Sequence, residues 1–153
     1  KRIEVSHIES EMLDGNIAYI KVLDFDGGTA KEFKSTYEKL KEEGAKSLII
    51  DIRGNGGGVV DESIDMLEMI CDKGSELLIE RNKAGEEEII KSEEDPIIDI
   101  PIAVLVNGSS ASASEIFAGT LKDYEKATII GTKTYGKGVI QTLISLSRIL
   151  YTK

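Results

Sequence analysis

One cysteine, one histidine, two prolines and no tryptophan stand among 153 residues. A single Cys71 cannot close an internal disulfide, and its place beside Ile64, Leu67 and Ile70 suits a small buried hydrophobe. An exported domain of this size needs no disulfide, so the shortage leaves the compartment open. Positive charge is also short. Nineteen Lys and Arg against 28 Asp and Glu leave a formal charge of −9, which repels a phosphate backbone and an anionic membrane surface. No apolar run approaches the about 20 residues that span a bilayer, and no signal peptide opens the sequence. Nucleic acid is therefore not an expected partner, nor is membrane contact by this segment.

What is present is the composition of a folded domain: 41% hydrophobic and 31% charged, without repeats or low-complexity stretches. At this length one hydrophobic core suffices without a metal. Residues 1–16 are polar and mixed and read as a segment leading into a core over 17–153.

The apolar pattern predicts a strand from Ile17 to Leu23, apolar on both parities and hence largely buried. Thr29 and Glu32 have capping-box spacing at the head of a helix carrying Ala30, Phe33, Tyr37 and Leu40 and stopping at Gly44. Ser47–Ile52 reads as a central strand. Val60, Ile64, Leu67 and Cys71 mark a second helix closed by Lys73 and Gly74. Glu76–Glu80 and Glu87–Lys91 form a peripheral hairpin, and Pro96 and Pro101 punctuate the connection that follows. Ile102–Val106 is a strand, Ala113–Lys122 a helix, Ala127–Ile130 a strand, and Val139–Leu146 a last strand. This order predicts an α/β domain: a mainly parallel central sheet flanked by helices, plus a small peripheral hairpin.

In such sheets functional groups collect beyond the carboxyl ends of the strands, and two loops there stand out. Arg53–Gly58 is mostly glycine, which lets bare N–H groups approach a ligand oxygen. It lacks the Lys and Ser or Thr of a phosphate loop, because Val59 and Val60 occupy those places, and it does not complete a dinucleotide fingerprint. An oxyanion hole or a tight turn remains. Asn107–Glu115 runs from a strand into a helix with Ser109, Ser110, Ser112 and Ser114 in close succession. A serine there sits near the orphan N–H groups of a helix start, but Ser112 and Glu115 also have the spacing of a plain capping box.

A nucleophilic serine needs a base, and His7, in a polar N-terminal segment, is expected to be solvated. Lysine is the other option. Lys137 lies between Gly136 and Gly138, an odd setting for a solvated lysine, and in an extended chain Gln141 shares its face and could orient its amine. A lysine acts as base only when neutral, a state that burial without a carboxylate partner favours.

At these residues a resemblance becomes specific. Val106-Asn107-Gly108-Ser109-Ser110-Ala111-Ser112-Ala113-Ser114-Glu115-Ile116, then Gly131-Thr132-Lys133-Thr134-Tyr135-Gly136-Lys137-Gly138-Val139-Ile140-Gln141-Thr142, resembles the signature of the C-terminal processing, or tail-specific, peptidases. Asp51–Gly58 and Ile17–Ile20 are similar to further blocks of that family, in the same order. The resemblance implies a fold like the Clp-protease and crotonase core. It implies Ser112 as nucleophile, Lys137 as general base and Gln141 as the residue that positions it. The amides of Gly58 and Ala113 would form the oxyanion hole, with no metal and no cofactor. It further implies protein or peptide substrates taken near their C-termini and a parent protein in the cell envelope, extracytoplasmic or periplasmic. Family members usually carry a PDZ domain before this core and continue past the Gln141 strand, so the sequence reads as a core without its PDZ domain, truncated at the C-terminal end. Two alternatives stay open: a catalytically inert peptide-binding core, and a crotonase-like acyl-thioester enzyme.

Overall fold

The structure is a computed structural model that describes residues 6–140. A five-stranded sheet has the order β1-β2-β3-β6-β7, and a separate two-stranded hairpin is formed by β4 and β5. The strands are β1 (Ile8–Leu13), β2 (Ile17–Val22), β3 (Ser47–Asp51), β4 (Glu76–Arg81), β5 (Glu87–Lys91), β6 (Ile102–Val106) and β7 (Thr128–Gly131); the helices are α1 (Thr29–Glu42), α2 (Val60–Glu68) and α3 (Ala113–Asp123). Among the described strands of the five-stranded sheet only β1 runs antiparallel, paired with β2; β2, β3, β6 and β7 are parallel neighbours, and β4 and β5 pair antiparallel in the hairpin. The expected α/β class, parallel sheet and peripheral hairpin are all present.

One face of the sheet carries the core. Ala18, Ile20, Val22, Leu48, Ile50 and Val104 are fully or almost fully buried and join Phe33, Tyr37, Leu67 and Phe117 of the helices in one cluster. The opposite parity of β2 (Ile17, Tyr19, Lys21) is only half-buried, so β2 is not the doubly buried strand its composition predicted. Its alternation is instead that of a strand with one covered face. Cys71 is buried at 0% exposure, as expected of a core residue.

Three local expectations need correcting. Residues 8–13 of the polar N-terminal segment belong to the sheet, because an edge strand with exposed Glu9, Ser10 and Glu11 needs only a few apolar anchors. The Thr29/Glu32 capping box does not form. Gly28 is the N-cap of α1, and the Glu62 carboxylate of α2 accepts the Gly28 and Ala30 amides at 2.8 Å each. A long-range carboxylate has taken the place of a local cap. Helix α2 ends at Glu68, and Ile70 and Cys71 continue as a turn bonded back to the Leu67 carbonyl.

Carboxyl ends of β2, β3, β6 and β7 all lie on one edge of the sheet. The loops leaving that edge are 23–28, 52–59, 107–112 and 132–140, which brings the glycine loop, the serine loop and the Lys137 segment together.

Candidate active site

Ser112 is the N-cap of α3, with φ 57° and ψ −119°. A non-glycine residue in this region costs on the order of 1–3 kcal/mol and persists only where its surroundings hold it. The strain turns the chain sharply from β6 into α3 and leaves Ser112 half-buried, whereas Ser110 and Ser114 on either side are at 0% exposure. Their hydroxyls are committed to structure: Ser110 Oγ donates to the Ile52 carbonyl (2.8 Å) and Ser114 Oγ to the Asn55 carbonyl (3.0 Å). Of Ser110, Ser112 and Ser114, only Ser112 reaches solvent; Ser109, earlier in the loop, is exposed.

The glycine loop backs onto this turn. A Cβ on Gly57 would lie 2.7 Å from both the Ala111 carbonyl oxygen and Ser112 Cβ, and Gly57 has φ 100°. Gly58 is packed as tightly on its other side, where a Cβ would meet the Phe25 carbonyl oxygen at 2.4 Å. Among the described residues neither the Gly58 amide nor the Ala113 amide donates a hydrogen bond; Ala113 directly follows Ser112, and Gly58 follows the Gly57 that packs on it.

Asn55 fastens the two loops. It is 1% exposed; its Nδ2 donates to the Val22 carbonyl (3.0 Å), its Oδ1 accepts from the Gly57 amide (2.8 Å), and its carbonyl accepts from the Ala111 amide (3.1 Å) and Ser114 Oγ. Asn107 adds a second tie, its Oδ1 accepting the amides of Gly54 and Ser109 at 3.0 Å each. Neither asparagine stood out in the sequence. The usable signal was an Asn inside a glycine run, where an amide side chain can substitute for backbone partners.

Glu115 links the serine turn to the lysine segment. Its Oε2 accepts the Ser112 amide (3.0 Å) and the Lys137 amide (2.9 Å), and its Oε1 accepts the Gly136 amide (2.6 Å). Burial pushes the Glu115 carboxyl up, but the Gly136 amide, the Thr134 hydroxyl and the Lys137 and Ser112 amides outweigh it and hold the group below the ordinary carboxylate value. The capping relation of Ser112 and Glu115 is present. The Glu115 amide nevertheless makes its short bond to the Ser112 carbonyl, at 2.8 Å.

Lys137 is half-buried. It is joined to Ser112 through Glu115, and no hydrogen bond between Ser112 Oγ and Lys137 Nζ is made among the described residues. Gln141 and most of the strand expected over 139–146 lie outside the described residues. His7 is not the solvated side chain expected of it: its Nδ1 lies 2.7 Å from Asp24 Oδ1, with 18% side-chain exposure.

At the end of β3, buried Asp51 accepts Tyr19 OH (2.7 Å) and the Arg53 Nε and Nη2 groups (2.9 and 2.6 Å). Burial pushes the Asp51 carboxyl up, yet Arg53 and Tyr19 prevail and hold it below its usual value. A cavity of about 790 Å³ opens between the β4–β5 hairpin and residues 138–140, just past Lys137. Among the described residues no cluster of His, Cys, Asp and Glu could hold a metal.

The strained Ser112 thus stands at a strand-to-helix turn on the carboxyl edge of the parallel sheet, with the glycine loop packed behind it. Residues 16–153 match Peptidase family S41. The chain is 39% identical over 140 residues to the carboxy-terminal processing protease CtpA of Bacillus subtilis (strain 168), covering 92% of this chain and 30% of that protein. It is 36% identical over 148 residues to a probable CtpA-like serine protease of Staphylococcus epidermidis, covering 95% of this chain and 30% of that protein. A solved structure of the photosystem II D1 C-terminal processing protease superposes with a TM-score of 0.80 at 30% identity, over 93% of this chain and 40% of that one. The chain belongs to Peptidase family S41, among the C-terminal processing proteases. It spans about 30% of the length of the curated relatives it matches.

Proposed function

We propose that this chain is the catalytic core of a serine endopeptidase that cleaves proteins near their C-termini. Lys137 in its neutral form takes the proton of Ser112 Oγ as the oxygen attacks the scissile carbonyl. The resulting oxyanion is held by the amides of Gly58 and Ala113. The lysine then returns its proton to the leaving amine as the C–N bond breaks, leaving an acyl ester on Ser112. Water, deprotonated by Lys137, attacks the ester and releases the new C-terminal carboxylate and the serine hydroxyl. Gln141 orients the Lys137 amine in this reading, and neither metal nor cofactor takes part.

The observation that carries the reading is the strained Ser112 turn packed on Gly57, next to the Gly58 and Ala113 amides in sequence, neither of which donates a hydrogen bond among the described residues. Kinship with C-terminal processing proteases supports a protein substrate engaged at its C-terminal region; in this reading the parent protein works in the cell envelope. Among the described residues no helix is long and apolar enough to cross a membrane. The core would be completed in a longer protein by a substrate-engaging PDZ domain and a further C-terminal segment. The test is a serine-directed fluorophosphonate applied to the full-length protein, with the labelled residue mapped by mass spectrometry. Labelling at Ser112, abolished in Ser112→Ala, is expected. Labelling elsewhere, or turnover that survives Ser112→Ala, overturns the assignment.

A further inference from the structure

We propose that Glu115 is a positioning residue that keeps Lys137 in register with Ser112; the inference rests on the Ser112 and Lys137 reading above. Residues 132–140 have no helix or strand of their own. Four backbone ties hold this segment to the rest of the described structure. The Thr132 amide donates to the Val106 carbonyl (3.3 Å), the Tyr135 amide to the Ser110 carbonyl (3.0 Å), and the Gly136 and Lys137 amides to the two oxygens of Glu115 (2.6 and 2.9 Å). The two ties nearest the lysine therefore end on one carboxylate.

A helix cap alone does not require this arrangement. Capping needs the carboxylate to reach back to the Ser112 amide, which Oε2 does at 3.0 Å. The bonds to Gly136 and Lys137 are additional and cross to another strand connection. Gly136 has φ 89°, a conformation that lets successive N–H groups converge on one anion. Ionised oxygens make these bonds stronger than neutral ones, and the carboxylate stands in the first turn of α3, where the helix favours negative charge. One side chain thus grips the backbone of the nucleophile and that of the base.

Replacement predicts a definite defect. In Glu115→Gln, one oxygen becomes an NH₂ that cannot accept, so one donor of the Gly136–Lys137 turn is lost. Glu115→Asp keeps the charge at the helix start but is a methylene too short to span both segments. With its remaining oxygen in the Oε2 place, glutamine keeps the Ser112 amide and loses the tie to Gly136, so the defect falls chiefly on the turn that carries Lys137.

The experiment uses the full-length protein and four versions: wild type, Glu115→Gln, Lys137→Ala and the double variant. It measures kcat and KM on an unstructured protein, the rate of fluorophosphonate labelling at Ser112, and hydrogen exchange of a peptide spanning 134–137. Glu115→Gln should lower kcat by about tenfold to a hundredfold with little change in KM, the scale of a misplaced catalytic group. Exchange at Gly136 and Lys137 should accelerate. In the Lys137→Ala background Glu115→Gln should slow labelling no further. An equal fractional loss in both backgrounds would mean that Glu115 supports the serine helix itself, and an unchanged kcat would also overturn the proposal. Should Glu115→Gln fail to fold, Glu115→Asp decides by the same criteria. If wild type is not labelled at Ser112, the dyad reading falls and takes this inference with it. If Ser112 labels and Lys137→Ala is slow but both Glu115 variants are fast, only this inference falls.

Discussion

Gly57 and Ser112 touch back to back: a Cβ on Gly57 would stand 2.7 Å from Ser112 Cβ and 3.1 Å from the Ala113 nitrogen. The absence of a side chain at position 57 is what lets the glycine loop close on the serine turn. Gly57→Ala would also force alanine into φ 100°. It is expected to destabilise the fold by about 1–3 kcal/mol and to slow labelling of Ser112, because the loop must retreat from the Ser112 turn. Gly56→Ala is the control, since a Cβ there meets nothing within 4 Å and φ is not positive. Thermal melts and labelling rates for the two variants check this; equal effects would show that the contact is unimportant.

Ser110 and Ser114 are buried donors to the Ile52 and Asn55 carbonyls. Each alanine variant leaves a buried carbonyl with one partner fewer and is expected to cost about 1–3 kcal/mol in a denaturant titration. Both should still label at Ser112. Ser112→Ala should reverse the pattern, losing labelling with little change in stability. Loss of labelling in Ser114→Ala with retention in Ser112→Ala would move the nucleophile to position 114.

Element order and the parallel sheet were legible because short apolar runs bounded by glycine and proline leave few alternatives. The β4–β5 hairpin was read almost to the residue. Strand β1 was not, since Ile8–Leu13 carries too few apolar residues for a pattern to show and is held by pairing with β2. At the site, glycine clustering and serine spacing marked both loops. The ties between them were hidden because Asn55, Asn107 and Glu115 act across many residues of sequence. The His7–Asp24 pair, likewise, depends on β1 being in the sheet.

Asp51 gives a pH signature. Its folded pKa is depressed below the ordinary value of about 3.9, so its contribution is fully present above that pH and is lost as pH falls through the folded value. Asp51→Asn should therefore lower stability at pH 7, with the gap to wild type narrowing as the solution is acidified below about pH 4. Urea midpoints at pH 7 and pH 3 measure it. A gap of constant size would mean that the loss is steric rather than due to the carboxylate's charge against Arg53 and Tyr19.

Lys137 is assigned the role of base, and Lys137→Arg separates that role from the provision of positive charge. The tie from residue 137 to Glu115 uses the backbone amide, so the turn is retained whichever side chain is present. A guanidinium keeps its proton at every usable pH and cannot accept one from Ser112. Lys137→Arg should therefore be as inactive as Lys137→Ala in the full-length protein, with hydrogen exchange at 134–137 unchanged in both, and raising the pH should rescue neither. Rates on an unstructured protein across pH 6 to 10, compared with wild type, make the test. Substantial activity in the arginine variant would show that a cation suffices at position 137 and that the proton of Ser112 leaves by another route.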